Sequence, residues 1–220
     1  MSALGEGFYT VQEAAYLIGT ADQRLRAWLR PSAKYGPAVK SDRVRGRGIS
    51  DLSFHDLIEL NFVEHFRAQG VSLQTLRNAN DRAREAYGSH PFARSDLLFR
   101  TDRTRIYAEA ASTTNDKRLL DLTENQHVLD VIEDTLREGI DFDPDTALAR
   151  VWRPRSDLAV IVDPRVNFGR PSLEHHGLST SALRRLWDAE KGDYAAVADW
   201  YGIPEAAVRD AVEFETVRIQ

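Results

Sequence analysis

Cysteine is absent from this 220-residue chain, and so is any long apolar run. Without cysteine there can be neither a disulfide nor a thiolate-bound metal. No apolar stretch approaches the roughly 20 residues of a membrane-spanning helix. The first residues also lack the basic, apolar and small-residue order of a signal peptide. We therefore expect a cytoplasmic protein with packed cores.

Catalytic patterns are missing as well. We find no Ser/His/Asp or Cys/His arrangement and no phosphate-cradling glycine loop. Asp141–Asp145 lacks the Gly and the terminal Glu of a calcium loop, and Pro144 would stiffen it, so we interpret it as an acidic turn. His175 and His176 are neighbours, which on an extended chain point to opposite faces. We expect no catalytic residues, no metal site and no cofactor, so a nucleic-acid-processing enzyme is not favoured.

Two short helices joined by a tight turn are predicted between Phe8 and Arg30. Thr10 and Glu13 have the spacing of a capping box, and Gly19 can adopt the left-handed conformation that ends a helix. A second helix is predicted over Asp22 to Leu29. Ala15, Gly19 and Leu25 occupy the positions of the small residue, the Gly and the apolar anchor of a helix-turn-helix. An ordinary helical hairpin with solvated arginines is the alternative.

Positive charge is concentrated next to this motif, although the whole chain has a net charge of −5. Between residues 22 and 49 there are eight basic residues and two acidic ones. Overall acidity argues against a protein that coats nucleic acid, but a local basic excess indicates a phosphate-binding face. In addition, Gly46 and Gly48 alternate with arginines, as in a wing loop. The residues that we expect to contact DNA are Thr20, Gln23, Arg24, Arg26, Arg30, Lys34, Lys40, Arg43, Arg45 and Arg47.

The first third of the chain resembles the MerR-type winged helix-turn-helix regulators. Leu25, Arg26 and Trp28 fit the Leu-Arg-aromatic motif of that family. The resemblance continues through Phe54-His55-Asp56-Leu57 and Gly70-Val71-Ser72-Leu73. It departs at Ala21, where the family usually has a capping Ser, so that a cap must come from Thr20 or Asp22 or be absent. Ser53 and Asp56 predict a further capping box, and Ser72 a further helix start.

The middle of the chain is acidic and mixed in character. Residues 97–108 predict a β-hairpin, 128–137 a short helix, and 147–152 and 158–162 two strands. Between residues 109 and 145 there are eleven acidic residues and three basic ones. This segment is therefore expected to avoid DNA.

The tail predicts three helices, starting near Ser179, Asp193 and Pro204. Ala198, Gly202 and Val208 repeat the spacing of the first helix-turn-helix. Residues 179–215, however, contain eight acidic and four basic residues, which indicates a protein-binding or dimerising module. Residues 163–215 also resemble the small domain of unknown function found in many bacterial antitoxins, which are usually encoded beside PIN-type ribonuclease toxins. The motifs are Asp163-Pro164-Arg165 and Gly169-Arg170-Pro171, with a departure at 174–179.

Together the two resemblances imply a VapB-type antitoxin with a MerR-like head. The expected fold is mainly α with small β elements: a winged helix-turn-helix over 1–90, a small α+β segment over 91–162, and a trihelical domain over 163–220. The expected partners are double-stranded operator DNA, a PIN-type toxin and a second copy of the chain, with autorepression of its operon. The alternative is a MerR-like regulator whose C-terminal part senses a small molecule.

Overall fold

The computed structural model describes residues 7–31, 36–41, 44–45, 48–49, 51–95, 97–124 and 137–216. The helix predicted over 128–137 therefore lies outside the described residues, except for Arg137. Lys34, Arg43 and Arg47 of the predicted DNA contacts lie outside them as well.

The described chain is mainly helical. Its helices are α1 (Val11–Ile18), α2 (Asp22–Leu29), α3 (Phe54–Ala68), α4 (Leu73–Tyr87), α5 (Leu97–Thr114), α6 (Lys117–Glu124), α7 (Thr180–Ala189), α8 (Tyr194–Tyr201) and α9 (Glu205–Thr216). Its strands are β1 (Val44–Arg45), β2 (Gly48–Ile49), β3 (Ile140–Phe142), β4 (Ala149–Trp152), β5 (Val160–Ile161) and β6 (Ser172–Leu173). Short 3₁₀ turns cover Pro91–Ala93 and Asn167–Gly169. None of the described helices combines the length and apolar character needed to cross a membrane.

Local capping signals set the boundaries of α1, α3 and α4. Thr10 and Glu13 form the predicted capping box of α1, and Gly19 ends that helix in the left-handed conformation. Ser53 and Asp56 form the second box at the start of α3. Ser72 caps α4 by accepting the backbone N–H of Thr75. These predictions are confirmed.

The strands form three two-stranded antiparallel ribbons. β1 and β2 pair Val44 with Ile49 across the predicted wing. β3 and β4 pair with a register shift between Asp141 and Phe142. An isolated bridge between Trp152 and Val162, the residue that follows β5, then connects β4 to the β5–β6 ribbon. The strands predicted over 147–152 and 158–162 are confirmed at their central residues.

The β-hairpin predicted over 97–108 is wrong, because this stretch belongs to the 18-residue helix α5. Ile106, Tyr107, Ala110 and Ala111 are buried at helical spacing. The Tyr107 ring lies 5.6 Å from that of Phe66 in α3. Residues 101–104, which were predicted to form the turn of the hairpin, lie within α5. The packing of the apolar stripe outweighs the weak local turn signals.

The three helices predicted in the tail are confirmed as α7, α8 and α9. Asp193 caps α8 by accepting the backbone N–H of Ala196, and Gly202 ends it in the left-handed conformation. Pro204 immediately precedes α9, as expected for a residue that lacks a backbone donor.

One buried apolar cluster runs through all three predicted units. The Tyr9 hydroxyl donates to the Gly169 carbonyl at 2.9 Å. The Tyr16 hydroxyl donates to the Phe214 carbonyl at 3.3 Å, and the two rings meet edge to face. The first helix pair is therefore packed against the tail. The predicted boundaries at 90 and 162 stay predictions.

We predict that Gly169→Ala destabilises the protein more than Gly202→Ala does. Both glycines have positive φ, +83° and +62°, so each substitution carries the left-handed cost of about 1–2 kcal/mol. An added Cβ at Gly169 would also overlap the Tyr9 hydroxyl, whereas at Gly202 it meets no atom of the described residues within 4 Å. Overpacking at Gly169 should add about 1–3 kcal/mol. Urea unfolding followed by circular dichroism measures the loss in the free energy of unfolding for each variant. Equal losses in the two variants would contradict the close packing at Tyr9.

Candidate nucleic-acid interface

The second helix of the head, α2, separates polar from apolar residues along its two sides. Leu25, Trp28 and Leu29 are buried in the head. Gln23 and Arg24 are exposed, and the side chain of Arg26 is 41% exposed. A recognition helix presents residues of its N-terminal part to base edges in the major groove, and these three occupy that part of α2.

The N-terminus of α2 has no side-chain cap. Ala21 occupies the N-cap position, and its methyl group cannot accept a hydrogen bond. Neither Thr20 nor Asp22 replaces the missing Ser. First-turn N–H groups that lack a side-chain acceptor are suited to a phosphate oxygen. Asp22 in the same turn opposes an anion, so phosphate binding there depends on the neighbouring arginines.

The C-terminus of α2 is held by groups from elsewhere in the head. The buried Arg77 of α4 donates from Nη2 to the carbonyl of Arg30 at 3.2 Å and to that of Ala27 at 3.4 Å. The backbone N–H of Ala38 donates to the Trp28 carbonyl at 2.7 Å. These bonds satisfy carbonyls that the helix itself leaves unpaired. Burial lowers the pKa of Arg77, but the two carbonyls solvate its charge. The orientation of α2 is thereby fixed relative to α4.

Three of the predicted contact residues form ion pairs on the surface. Arg24 pairs with Glu64 at 2.9 Å, Arg26 with Asp22 at 3.6 Å, and Lys40 with Asp81 at 2.7 Å. Glu64 and Asp81 come from α3 and α4, so counting charges over residues 22–49 missed them. Their carboxylates reduce the local excess of positive charge. Exposed pairs of this kind contribute only about 0–1 kcal/mol, so phosphates can displace them.

The remaining predicted contacts are distributed differently. Arg30 is exposed at the end of α2. Arg45 lies in β1, where its backbone is paired with Gly48. The hydroxyl oxygen of Thr20 is buried and has no hydrogen-bond partner among the described residues, so it is not presented to solvent. Lys34, Arg43 and Arg47 have no described position.

The tail repeats the geometry of α1 and α2 with different chemistry. Glu205 and Arg209 of α9 form an ion pair at 3.3 Å. Their positions in the sequence relative to Gly202 are the same as those of Asp22 and Arg26 relative to Gly19. Arg209 also lies 4.1 Å above the Tyr194 ring. The α8 helix displays Trp200, which is 72% exposed, and the neighbouring Tyr201. Trp and Tyr are enriched at protein-binding surfaces, so these two exposed aromatics indicate such a surface.

The acidic turn predicted over Asp141–Asp145 is confirmed only in its second half, because Asp141 and Phe142 belong to β3 and the turn follows them. Asp143 accepts from the backbone N–H groups of Asp145 and Thr146, and these bonds hold the pKa of its carboxyl below its usual range. Asp141 instead pairs with Arg153 at 3.1 Å. The carboxylates of Asp141 and Asp143 are thus occupied by protein donors.

Sequence reasoning missed a second polar cluster, formed by Asp56, Glu59 and His90. The only available signal was the polar character of two positions on the apolar face of α3. That signal could not identify His90, which lies in the segment after α4, just before the Pro91–Ala93 turn.

Comparisons with known proteins extend over nearly the whole chain. No family model matches the sequence. The chain is 27% identical over 224 residues to a Mycobacterium tuberculosis protein named "Putative antitoxin VapB45", covering 93% of this chain and 92% of that protein. The crystal structure of Rv2018 from Mycobacterium tuberculosis is similar with a TM-score of 0.71 and 25% identity, covering 93% of this chain and 96% of the other. The chain is therefore a distant homologue of a protein that carries a VapB-type antitoxin name.

Proposed function

We propose that this protein is a DNA-binding antitoxin of a type II toxin-antitoxin system, which represses its own operon and neutralises a PIN-type ribonuclease toxin. The observation that carries the proposal is the end-to-end similarity to a protein named as an antitoxin. Because that similarity covers 93% of this chain and 92% of that protein, it supports a single protein in which the head and the acidic tail act together. The role is one of binding and regulation, with no reaction assigned to the chain.

DNA binding is assigned to the head as a MerR-like winged helix-turn-helix. Gln23, Arg24 and Arg26 would read bases from α2, while Arg45 and its neighbours would reach the phosphates from the β1–β2 wing. Asn, Gln and Arg side chains bind base edges through two hydrogen bonds, and a good pair discriminates by about 1–3 kcal/mol. The surface ion pairs of Arg24 and Arg26 would open on binding.

Toxin binding is assigned to the part of the chain after Pro91. Its acidic segments complement the basic rim expected around the RNA-binding site of a PIN-type toxin, which would speed association. Trp200 offers the kind of aromatic anchor that dominates protein interfaces. The folded tail, with α9 at its end, would cover the toxin.

The first prediction from this assignment concerns DNA. Arg26→Ala should weaken binding to the protein's own promoter by about 1–3 kcal/mol, because a base contact is lost. Arg209→Ala is the matched control, because Arg209 has the equivalent place and the same i,i+4 pairing in the tail. Gel-shift titrations at fixed salt give both affinities. Equal losses, or a loss for Arg209→Ala alone, would contradict the assignment of DNA binding to the head.

A further prediction concerns the toxin encoded in the neighbouring reading frame. Trp200→Ala should weaken the complex by about 2 kcal/mol or more, as expected for a central aromatic, and leave promoter binding intact. Arg26→Ala should do the reverse. Point variants are preferred to truncation at residue 90, because Tyr9 and Tyr16 contact the tail. Calorimetric titration with purified toxin measures the affinities, and toxin binding that depended on Arg26 and not on Trp200 would reverse the roles.

A homodimer is the third expectation, because helix-turn-helix proteins usually read two-fold sites as dimers. Light scattering at micromolar concentration should give twice the chain mass of 24.9 kDa. A monomer both with and without operator DNA would rule out this assembly.

A further inference from the structure

Two buried carboxylates and a histidine converge where the start of α3 meets the segment after α4. Asp56 is 1% exposed and Glu59 is 0% exposed. His90 lies just before the Pro91–Ala93 turn. One oxygen of each carboxylate and a ring nitrogen of the histidine all lie within 4.8 Å of one another.

Each carboxylate has one oxygen held by the protein. Asp56 Oδ2 accepts from the Ser53 backbone N–H at 2.8 Å and from the Ser41 hydroxyl at 2.6 Å. Glu59 Oε1 accepts from the Phe92 backbone N–H at 3.3 Å. Such bonds orient a carboxylate in the way that outer-shell partners orient metal ligands.

The other oxygen of each carboxylate points toward His90. Asp56 Oδ1, Glu59 Oε2 and His90 Nδ1 are buried, and none has a hydrogen-bond partner among the described residues. Unpaired buried polar atoms are costly, and here three of them face one point. A ligand that accepts electron pairs from all three would remove that cost.

The separations fit an ion better than direct hydrogen bonds. His90 Nδ1 lies 3.4 Å from Glu59 Oε2 and 3.7 Å from Asp56 Oδ1. Charge-assisted hydrogen bonds are usually about 2.7–2.9 Å long. A tetrahedral zinc ion with ligands at about 2.1 Å separates those ligands from one another by roughly 3.4 Å.

We propose that Asp56, Glu59 and His90 bind one divalent transition-metal ion, of which zinc is the best fit. One imidazole nitrogen and two carboxylate oxygens are zinc ligands, and three protein ligands leave the fourth position for water. Calcium and magnesium prefer oxygen ligands, whereas one of the three ligands here is the imidazole nitrogen of His90. The ion would also balance two buried negative charges.

The ion would have a structural effect on the head. It would link the N-terminus of α3 to the segment that leaves α4, across the predicted boundary at residue 90. Through Ser41 it would also steady the chain that enters the β1–β2 wing. Its binding is independent of whether the protein acts as an antitoxin.

Protonation of His90 is the competing way to stabilise the cluster. Burial disfavours the imidazolium, but Glu59 and Asp56 outweigh burial and raise the pKa of His90. Burial and the neighbouring His90 lower the pKa of His55, whose Nε2 lies 3.0 Å from the Ala149 carbonyl. Arg84, which also faces His90, donates to the Lys40 carbonyl at 3.1 Å. The experiment must therefore distinguish a bound metal from a bound proton.

Zinc binding to the full-length protein, with any affinity tag removed and metal stripped by a chelator, tests the proposal. Competition with a chromophoric chelator at pH 7.5 should show one zinc per chain. Glu59→Gln and His90→Asn should each weaken binding more than about 100-fold, which exceeds the loss expected for outer-shell residues. Asparagine is chosen because His90 has φ of 53°, a conformation that Asn tolerates.

Matched controls and a stability measurement complete the test. Glu85→Gln and His175→Asn alter exposed residues and should bind zinc as the wild type does. Free zinc at 100 times Kd should raise the wild-type ratio of folded to unfolded protein about 100-fold, with no effect on Glu59→Gln. The near-isosteric Glu59→Gln keeps the test valid if His90→Asn fails to fold. Absence of stoichiometric zinc, or zinc binding that survives both cluster variants, would overturn the proposal.

Discussion

Tyr9 holds the first and last parts of the chain together. Its backbone pairs with that of Leu52 in both directions, at 3.0 and 2.8 Å, which fixes the entry to α1 against the entry to α3. Its hydroxyl reaches the carbonyl of Gly169, 160 residues away. Burial raises the pKa of the Tyr9 phenol far above its ordinary value, so the hydroxyl remains a donor. Because Tyr9 lies one residue before the cap of α1, the position of the helix pair depends on the tail as well as on the head.

A second contact also makes the position of the first helix pair depend on the tail. The Tyr16 side chain of α1 meets Phe214, and its hydroxyl also lies 3.5 Å from Glu215 in the last turn of α9. Burial and Glu215 raise the pKa of Tyr16 to about 12. Glu215 in turn accepts from the Thr180 hydroxyl at the start of α7. The Glu215 side chain at the end of α9 thus contacts both Tyr16 in the head and Thr180 in the tail.

Local signals predicted much of this fold, and tertiary contacts explain what they missed. Thr10, Ser53 and Gly19 act within a few residues of their helix ends, so their spacing was sufficient to locate those ends. The hairpin predicted over 97–108 failed because the packing of α5 on α4 and α3 is invisible to local spacing. In the site, Glu64 and Asp81 neutralise Arg24 and Lys40 from helices 40 or so residues away in the chain. The cluster of Asp56, Glu59 and His90 was missed for the same reason.

If the protein acts as proposed, these contacts would connect toxin occupancy to operator affinity. A toxin bound at Trp200 would contact α8, which Gly202 connects to α9, and the last turn of α9 contacts Tyr16 in α1. A displacement of α9 would displace α1 and, through the turn at Gly19, α2 as well. Such coupling is reciprocal, so operator DNA that favours one position of α1 must change toxin affinity by the same factor. Arg77 opposes this movement, because its hydrogen bonds hold the C-terminus of α2 against α4. The coupling would therefore appear as a rotation of α2 about its anchored C-terminus, which displaces Gln23 more than Arg30.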